Sequence, residues 1–255
     1  MAIELSFSNA VAILTLNRPD ALNALNLAQI AAIEAAVQKV SDSDARALIV
    51  LGAGGKAFCA GADIKELAAG TLLEHRRDLE AGQRAFSRLH ALPMVSIALL
   101  DGYAFGGGLE LALACTFRLA GRRAKLGLPE IKLGLIPGYG GTQRLARLIG
   151  ESRALELILS GRTVAAEEAL QLGIVNRLLE SATLEAALEY AAAFTGFSRL
   201  ASRFALDAVR RGSAVDVERG LYIERDQATL ALQTEDAAEG MAAFMEKRMP
   251  VFKDR

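Results

Sequence analysis

Histidine and cysteine are scarce in this chain of 255 residues, which has two of each: His75, His90, Cys59 and Cys115. Two cysteines do not make a disulfide framework, and they fit a reducing compartment such as the cytoplasm. His75 sits in a charged run and His90 on helix-like spacing, so both read as surface or packing residues and not as metal ligands. Excess charge is missing too. A net charge of −1 offers nothing to attract nucleic acid or an anionic membrane surface. The first ten residues lack a basic segment followed by a long apolar run, so no secretory signal is expected. No apolar stretch is long enough to span a bilayer. What is present is core material: 52% of the residues are hydrophobic, enough for one large domain with a short appendage.

The first half alternates strand and helix patterns. Residues 3–7 and 11–16 read as strands joined by a turn at Ser8-Asn9. Leu27, Ile30, Ile33, Val37 and Val40 recur at helical spacing. Residues 47–51 form a short apolar run ending in glycines, hence a buried strand. Leu79, Phe86 and Leu89 mark a helix stopped before Pro93. Strands at 94–100 and 117–120 flank a short apolar helix over 107–115. Strands separated by crossover helices predict an α/β fold with a largely parallel sheet. After about Gly150 the pattern turns helical: 152–160, 165–172, 184–194, 199–211, 216–232 and 236–246. Asp236 with Glu239 fits a capping box ahead of Met241. We divide the chain into a core over 1–180 and a helical region over 181–255 that is too small to stand as an independent domain.

Four glycine-rich points carry the candidate chemistry. Gly52-Ala53-Gly54-Gly55-Lys56-Ala57 is a poor dinucleotide fingerprint, because no long helix opens after it and no acidic residue follows at the usual offset. Ala57 after Lys56 also excludes a phosphate-binding P-loop. Ala60-Gly61-Ala62-Asp63-Ile64-Lys65 is a small-residue turn that a ligand can approach closely, or simply a tight strand-to-helix connection. Gly106-Gly107-Gly108 opens an apolar helix and leaves N–H groups uncovered at its positive end. Glu110 in the first turn either complements the helix dipole or has a task, since a carboxylate among Leu111-Ala112-Leu113-Ala114-Cys115 is costly to bury. Glu130 follows Pro129 and precedes the loop Gly134–Thr142. It could be a structural ion-pair partner of Lys132 or Arg144. Thr142 is a candidate N-cap for a helix ending at Ile149, with Gly150 as the stop.

Three stretches together resemble the enoyl-CoA hydratase/isomerase (crotonase) superfamily. They are Ala57-Phe58-Cys59-Ala60-Gly61-Ala62-Asp63-Ile64-Lys65-Glu66, Asp101-Gly102-Tyr103-Ala104-Phe105-Gly106-Gly107-Gly108-Leu109-Glu110-Leu111, and Pro129-Glu130 through Pro137-Gly138-Tyr139-Gly140-Gly141-Thr142-Gln143-Arg144-Leu145. Phe244-Met245-Glu246-Lys247-Arg248 is similar to the family's closing helix, so the resemblance runs over nearly the whole chain. It implies a crotonase-like spiral of ββα-type repeats with a C-terminal helical trimerisation region, assembled as a homotrimer or as a homohexamer of two trimers.

The resemblance also implies roles. Backbone N–H groups of Ala62 and Gly107 would form an oxyanion hole for a thioester oxygen. Such donors are each worth on the order of 2.7–4 kcal/mol. Glu110 would activate the water that attacks Cβ, and Glu130 would deliver the proton to Cα. Gly138 would help place the water, and Ala60, Asp63, Ile64 and Lys65 would bind coenzyme A. The implied substrate is an acyl-CoA and the implied reaction is hydration of a 2-enoyl-CoA to a 3-hydroxyacyl-CoA. No metal or separate cofactor is needed, and neither nucleic acid nor membrane is an expected partner. Having both glutamates favours hydratase over simple isomerase. An isomerase, a methylglutaconyl-CoA hydratase or a carnitinyl-CoA dehydratase remain the neighbouring readings. An RNA-binding or scaffolding protein on the same fold is the reading from another class; Arg76-Arg77, Arg122-Arg123 and Arg210-Arg211 are its only support. Two residues depart from the family pattern: Thr116, where Asp is common, and Tyr139, where a small residue is common. The segment 67–83 lines the acyl end in the family and varies there.

Overall fold

The computed structural model describes residues 2–68 and 70–255. Its contacts divide the chain into a unit over 1–191 and a unit over 192–255. In the first unit, β1 (Ile3–Ser8) and β2 (Val11–Leu16) form an antiparallel hairpin. The two residues of its turn are Asn9 and Ala10, not Ser8 and Asn9, and Asn9 takes the left-handed conformation at φ 53°. Asparagine tolerates that region better than most residues. β2 then begins a parallel run with β3 (Ala47–Gly52), β5 (Val95–Leu100), β7 (Phe117–Gly121) and β10 (Arg177–Leu179). Every residue of β5 is buried, which explains why it reads as an apolar run broken only by Ser96 and not as an alternating one.

A second sheet is built from very short strands: β4 (Ala57–Cys59), β6 (Tyr103–Phe105), β8 (Lys125–Gly127) and β9 (Val164–Ala165). The first three run parallel and the fourth is antiparallel. Three times in succession the chain places one strand in the large sheet and the next in the small one before a helical segment. β3 and β4 lead to α2 (Ile64–Leu67) and α3 (Leu72–His90), β5 and β6 lead to α4 (Gly107–Ala114), and β7 and β8 lead to a 3-10 helix over Pro129–Leu133. This is the expected ββα repeat. The segment Gly52–Lys56 joins β3 to β4 and opens no helix, which removes the dinucleotide reading.

α1 (Leu27–Ser41) is capped by Asn26, whose side chain accepts from Gln29 N while the Gln29 side chain accepts from Asn26 N. It presents Ile30, Ile33, Val37 and Val40 to the core. α4 is buried over its whole length. Its C-terminal end is held by Arg118, itself buried, which donates to the Cys115 carbonyl at 2.8 Å and to Ile174 O at 2.7 Å. A cation at that end complements the helix dipole, as Glu110 does at the other. Thr116 exchanges hydrogen bonds with Ser96 across the starts of β7 and β5, from Ser96 N to Thr116 Oγ1 at 3.1 Å and from Thr116 N to Ser96 Oγ at 3.0 Å. At this departure from the family pattern, hydroxyl-to-amide bonds tie the two strands.

α5 (Gly141–Ile149) and α6 (Glu151–Ser160) follow, then α7 (Ala166–Gln171) and α8 (Leu184–Thr195), within which the division at 191/192 falls. Thr142 is not the cap of α5: the helix begins one residue earlier, and Gly140 occupies the cap position with φ 111° and no side-chain bond. Gly150 does end it, at φ 85°.

The second unit contains α9 (Arg199–Gly212), α10 (Val217–Leu232) and α11 (Glu235–Glu246). The capping box at Asp236 is not formed. Thr234 caps α11 by accepting from Ala237 N, and the buried Asp236 carboxylate accepts from the N–H groups of Lys253 and Asp254. The Asp236 carboxylate thus ties α11 to the C-terminal segment, and the cap position belongs to Thr234. Among the described residues, no helix is long and apolar enough to cross a membrane.

Candidate active site

The parallel strands of the small sheet end side by side, at Cys59, Phe105 and Gly127. Ala62, Gly107 and Glu130 each follow one of those ends within three residues. A cavity of about 650 Å³ opens there, lined by residues that include Ala60, Ala62, Gly107, Glu110, Glu130 and Gly138. The carboxyl ends of adjacent parallel strands are where α/β folds commonly hold ligands.

Backbone approach comes first. Gly106 adopts φ 51°, ψ −127°, which no residue with a side chain enters readily. This turns the chain so that Gly107 starts α4. A Cβ on Gly108 would lie 2.2 Å from the Cys59 carbonyl oxygen, so only glycine lets α4 sit this close to β4. An ideal Cβ on Gly107 would fall 3.5 Å from Ala62 N, so the two residues are close neighbours. Among the described residues, neither the Ala62 nor the Gly107 N–H donates to a backbone carbonyl. Two unspent donors on one side of a cavity suit an oxyanion.

The glutamates are held differently. Glu110 is 1% exposed, and its Oε1 accepts from Tyr139 N at 2.8 Å and Gly141 N at 2.6 Å. Burial pushes its carboxyl up to about 7; the Gly141 amide opposes this, the Glu130 charge adds to it, and the Tyr139 amide and Arg144 charge oppose it. Glu130 Oε2 is buried without a hydrogen-bond partner among the described residues. Burial raises its carboxyl as well, against its own backbone amide. A buried oxygen with no donor favours the protonated form. The ion-pair alternative for Glu130 is not realised: Arg144 instead donates to Tyr139 O at 2.9 Å and to Ser87 Oγ at 3.4 Å.

The remaining predicted positions fall as follows. Gly138 lies in the cavity wall, and its carbonyl accepts from Gln83 Nε2 of α3 at 2.8 Å. Ala60, Asp63 and Ile64 line the cavity. Asp63 also caps α2, accepting from Lys65 N, and pairs with Arg18 at 3.6 Å. Lys65 is exposed on α2 and is not part of the wall. His75, read from sequence as a surface or packing residue, borders the cavity with Asp78 and Leu79. No local pattern marks Gln83 as a site residue, because its contact spans 55 residues of sequence. Both cysteines are buried free thiols, which burial pushes up to about 12.

The arginine pairs do not form a basic stripe. Arg76 pairs with Glu80, Arg77 with Asp78, Arg122 with Glu180, Arg123 with Asp101 and Arg211 with Asp207. Among the described residues, no three His, Cys, Asp or Glu side chains gather as a metal site.

Comparison with known proteins agrees with the geometry. The 2,3-dehydroadipyl-CoA hydratase of Escherichia coli is 42% identical over 250 residues, covering 96% of each chain. The short-chain-enoyl-CoA hydratase of Clostridium acetobutylicum is 39% identical, covering 96% of this chain and 95% of that one. The crystal structure of an enoyl-CoA hydratase from Bacillus anthracis superposes with a TM-score of 0.95 at 38% identity, over the whole of both chains. The profile of the enoyl-CoA hydratase/isomerase family matches residues 6–255, and the chain belongs to that family.

Proposed function

We propose that this protein is an enoyl-CoA hydratase, adding water across the double bond of a 2-enoyl-CoA to give a 3-hydroxyacyl-CoA. The observation that carries the reading is the pair of glutamates, Glu110 and Glu130, on one cavity with two unspent N–H donors. The thioester oxygen binds the Ala62 and Gly107 N–H groups, which stabilise the enolate charge that develops there. Glu110, oriented through Oε1 by two amides, uses its remaining oxygen to take a proton from water as the water oxygen bonds to Cβ. Glu130, with an unpartnered and proton-favouring oxygen, gives its proton to Cα. The pair ends with its protons exchanged and is reset by solvent, and in dehydration the roles reverse. Each transfer contributes typically about 10²–10⁴-fold. Ala60, Asp63, Ile64 and Lys65 form the coenzyme A side, with Lys65 at its outer rim; coenzyme A enters as part of the substrate, and no separate cofactor takes part.

The names of the relatives support a hydratase over the isomerase side of the family. The exposed apolar residues of the second unit, among them Val209, Leu221, Leu230, Phe244 and Met245, support self-association, and we propose a homotrimer or homohexamer in the cytoplasm. The direct test follows the loss of conjugated-thioester absorbance on mixing the protein with crotonyl-CoA. Turnover is expected; no turnover with any short, medium or branched 2-enoyl-CoA overturns the reading.

A further inference from the structure

The Tyr139 ring occupies a notch made by a missing side chain. A Cβ on Gly82 of α3 would lie 2.3 Å from Tyr139 Cδ1, so the ring is seated directly on the α3 backbone. On its other edge, Cδ2 lies 3.2 Å from where a Gly107 Cβ would be. Phe86 closes the back of the notch in an edge-to-face contact at 5.5 Å. The ring thus bridges α3 and the peptide unit that presents the Gly107 N–H. It borders the cavity but is only 7% exposed, so most of the side chain is wedged.

The backbone is fixed as well. Tyr139 N donates to Glu110 Oε1, Tyr139 O accepts from Arg144, and the preceding carbonyl accepts from Gln83. A tyrosine clamped at N, O and ring cannot swing aside to admit a longer chain. An acyl group whose thioester oxygen sits on the Ala62 and Gly107 amides has its Cα and Cβ beside Glu110. On the hydratase reading, the carbons beyond Cβ share this cavity with Leu79 of α3 and Tyr139, which both line it.

We propose that Tyr139, seated on Gly82, is a specificity-determining wall that restricts the enzyme to short, unbranched 2-enoyl-CoA substrates. The proposal rests on the hydratase reading and adds the substrate class. Bulk is the operative property. Burial pushes the phenol up to about 12, so the ring stays neutral.

The test compares crotonyl-CoA with trans-2-decenoyl-CoA in the wild type, Tyr139→Ala, Tyr139→Leu and Tyr139→Phe. Each is also titrated with butyryl-CoA and decanoyl-CoA as unreactive ligands. The wild type should strongly favour the four-carbon ester in both kcat/KM and Kd. Tyr139→Ala should shift the kcat/KM ratio toward decenoyl-CoA by at least about tenfold, with Tyr139→Leu in the same direction and Tyr139→Phe unchanged. Tyr139→Leu carries the test if Tyr139→Ala does not fold. A ratio that moves less than twofold in a folded Ala or Leu variant overturns the wall, as does a Phe variant that behaves like Ala. If the wild type hydrates neither ester, the hydratase reading fails. The two saturated ligands then still decide whether the wall exists.

Discussion

Glu110 Oε1 lies 2.6 Å from the amide nitrogen of Gly141, the first residue of α5. No side chain caps this helix from within its own segment. The proposed base, 31 residues earlier in the chain, supplies that acceptor. Its two oxygens therefore have different work: Oε1 anchors the loop and the start of α5, and the other is left for the reaction.

Replacing Glu110 by Gln should keep the anchor and remove the base. We expect kcat to fall by roughly 10²–10⁴, with acyl-CoA affinity nearly unchanged. Replacing it by Ala should also leave two buried amides without an acceptor, at a further cost of about 1–3 kcal/mol each at most. Kinetics and denaturant melts on both variants check this; near-normal rates in Glu110→Gln would remove it as the base.

Glu130→Gln should depress kcat by a similar order, but without destabilising the fold. Its buried Oε2 has no hydrogen-bond partner to lose among the described residues. A stability loss as large as that of Glu110→Ala would show an unseen structural bond.

The pH dependence of stability should carry the mark of Glu110. Its carboxyl titrates near 7 when folded, against an ordinary 4.5 when unfolded. The neutral form is the one the fold favours, so this contribution is complete below pH 4.5 and is lost as pH rises to about 7. At about 1.4 kcal/mol per pH unit the loss is on the order of 3 kcal/mol. Glu130, raised by burial, acts in the same direction. Urea melts across that window should show wild-type stability falling relative to Glu110→Gln; parallel curves would refute the assignment. Hydration by the wild type should show an acid limb near pH 7.

Gln83→Ala should lower kcat by up to about tenfold, the equivalent of one hydrogen bond of about 0.5–1.5 kcal/mol. It removes the donor that fixes the Gly138 carbonyl and with it the peptide that holds Glu110. Tm should barely change, since Gln83 is exposed. A large Tm drop with normal kcat would make it merely structural.

Arg118→Met should destabilise the fold by a few kcal/mol, because the carbonyls of Cys115 and Ile174 lose a buried donor. Calorimetry should show Tm falling by roughly 2–4 °C per kcal/mol.

Local pattern reveals elements whose periodicity is long enough to read. α1 and β5 are visible because their apolar residues recur over 15 and 6 positions. The small sheet is not, because β4, β6 and β8 have three residues each. The glutamates stand out as charges in apolar surroundings. The caps do not: Gly140 and Thr234, not Thr142 and Asp236, hold the cap positions, while Glu110 accepts from Gly141 N and Asp236 from Lys253 N across long stretches of sequence. Buried Asn23 is equally silent in sequence, although its side chain ties Ala53 to Ala57 across the turn between β3 and β4. Hydrogen bonds that join remote segments leave no periodic trace.

The Ala62 and Gly107 donors follow β4 and β6, which are neighbours in one parallel ladder. The strands that lead to them are held about 4.8 Å apart by backbone hydrogen bonds, so the ladder and not a side chain brings the two donors together. Side-chain drift elsewhere leaves such a ruler unmoved. The long excursion through α2 and α3, from Ile64 to His90, hangs between those strands and carries Leu79 of the cavity lining and Gly82 beneath the Tyr139 ring. Insertions or rewriting in that excursion can change which acyl group fits while the gap between the two donors stays constant. Substrate range and reaction chemistry are therefore free to diverge on separate parts of the same chain.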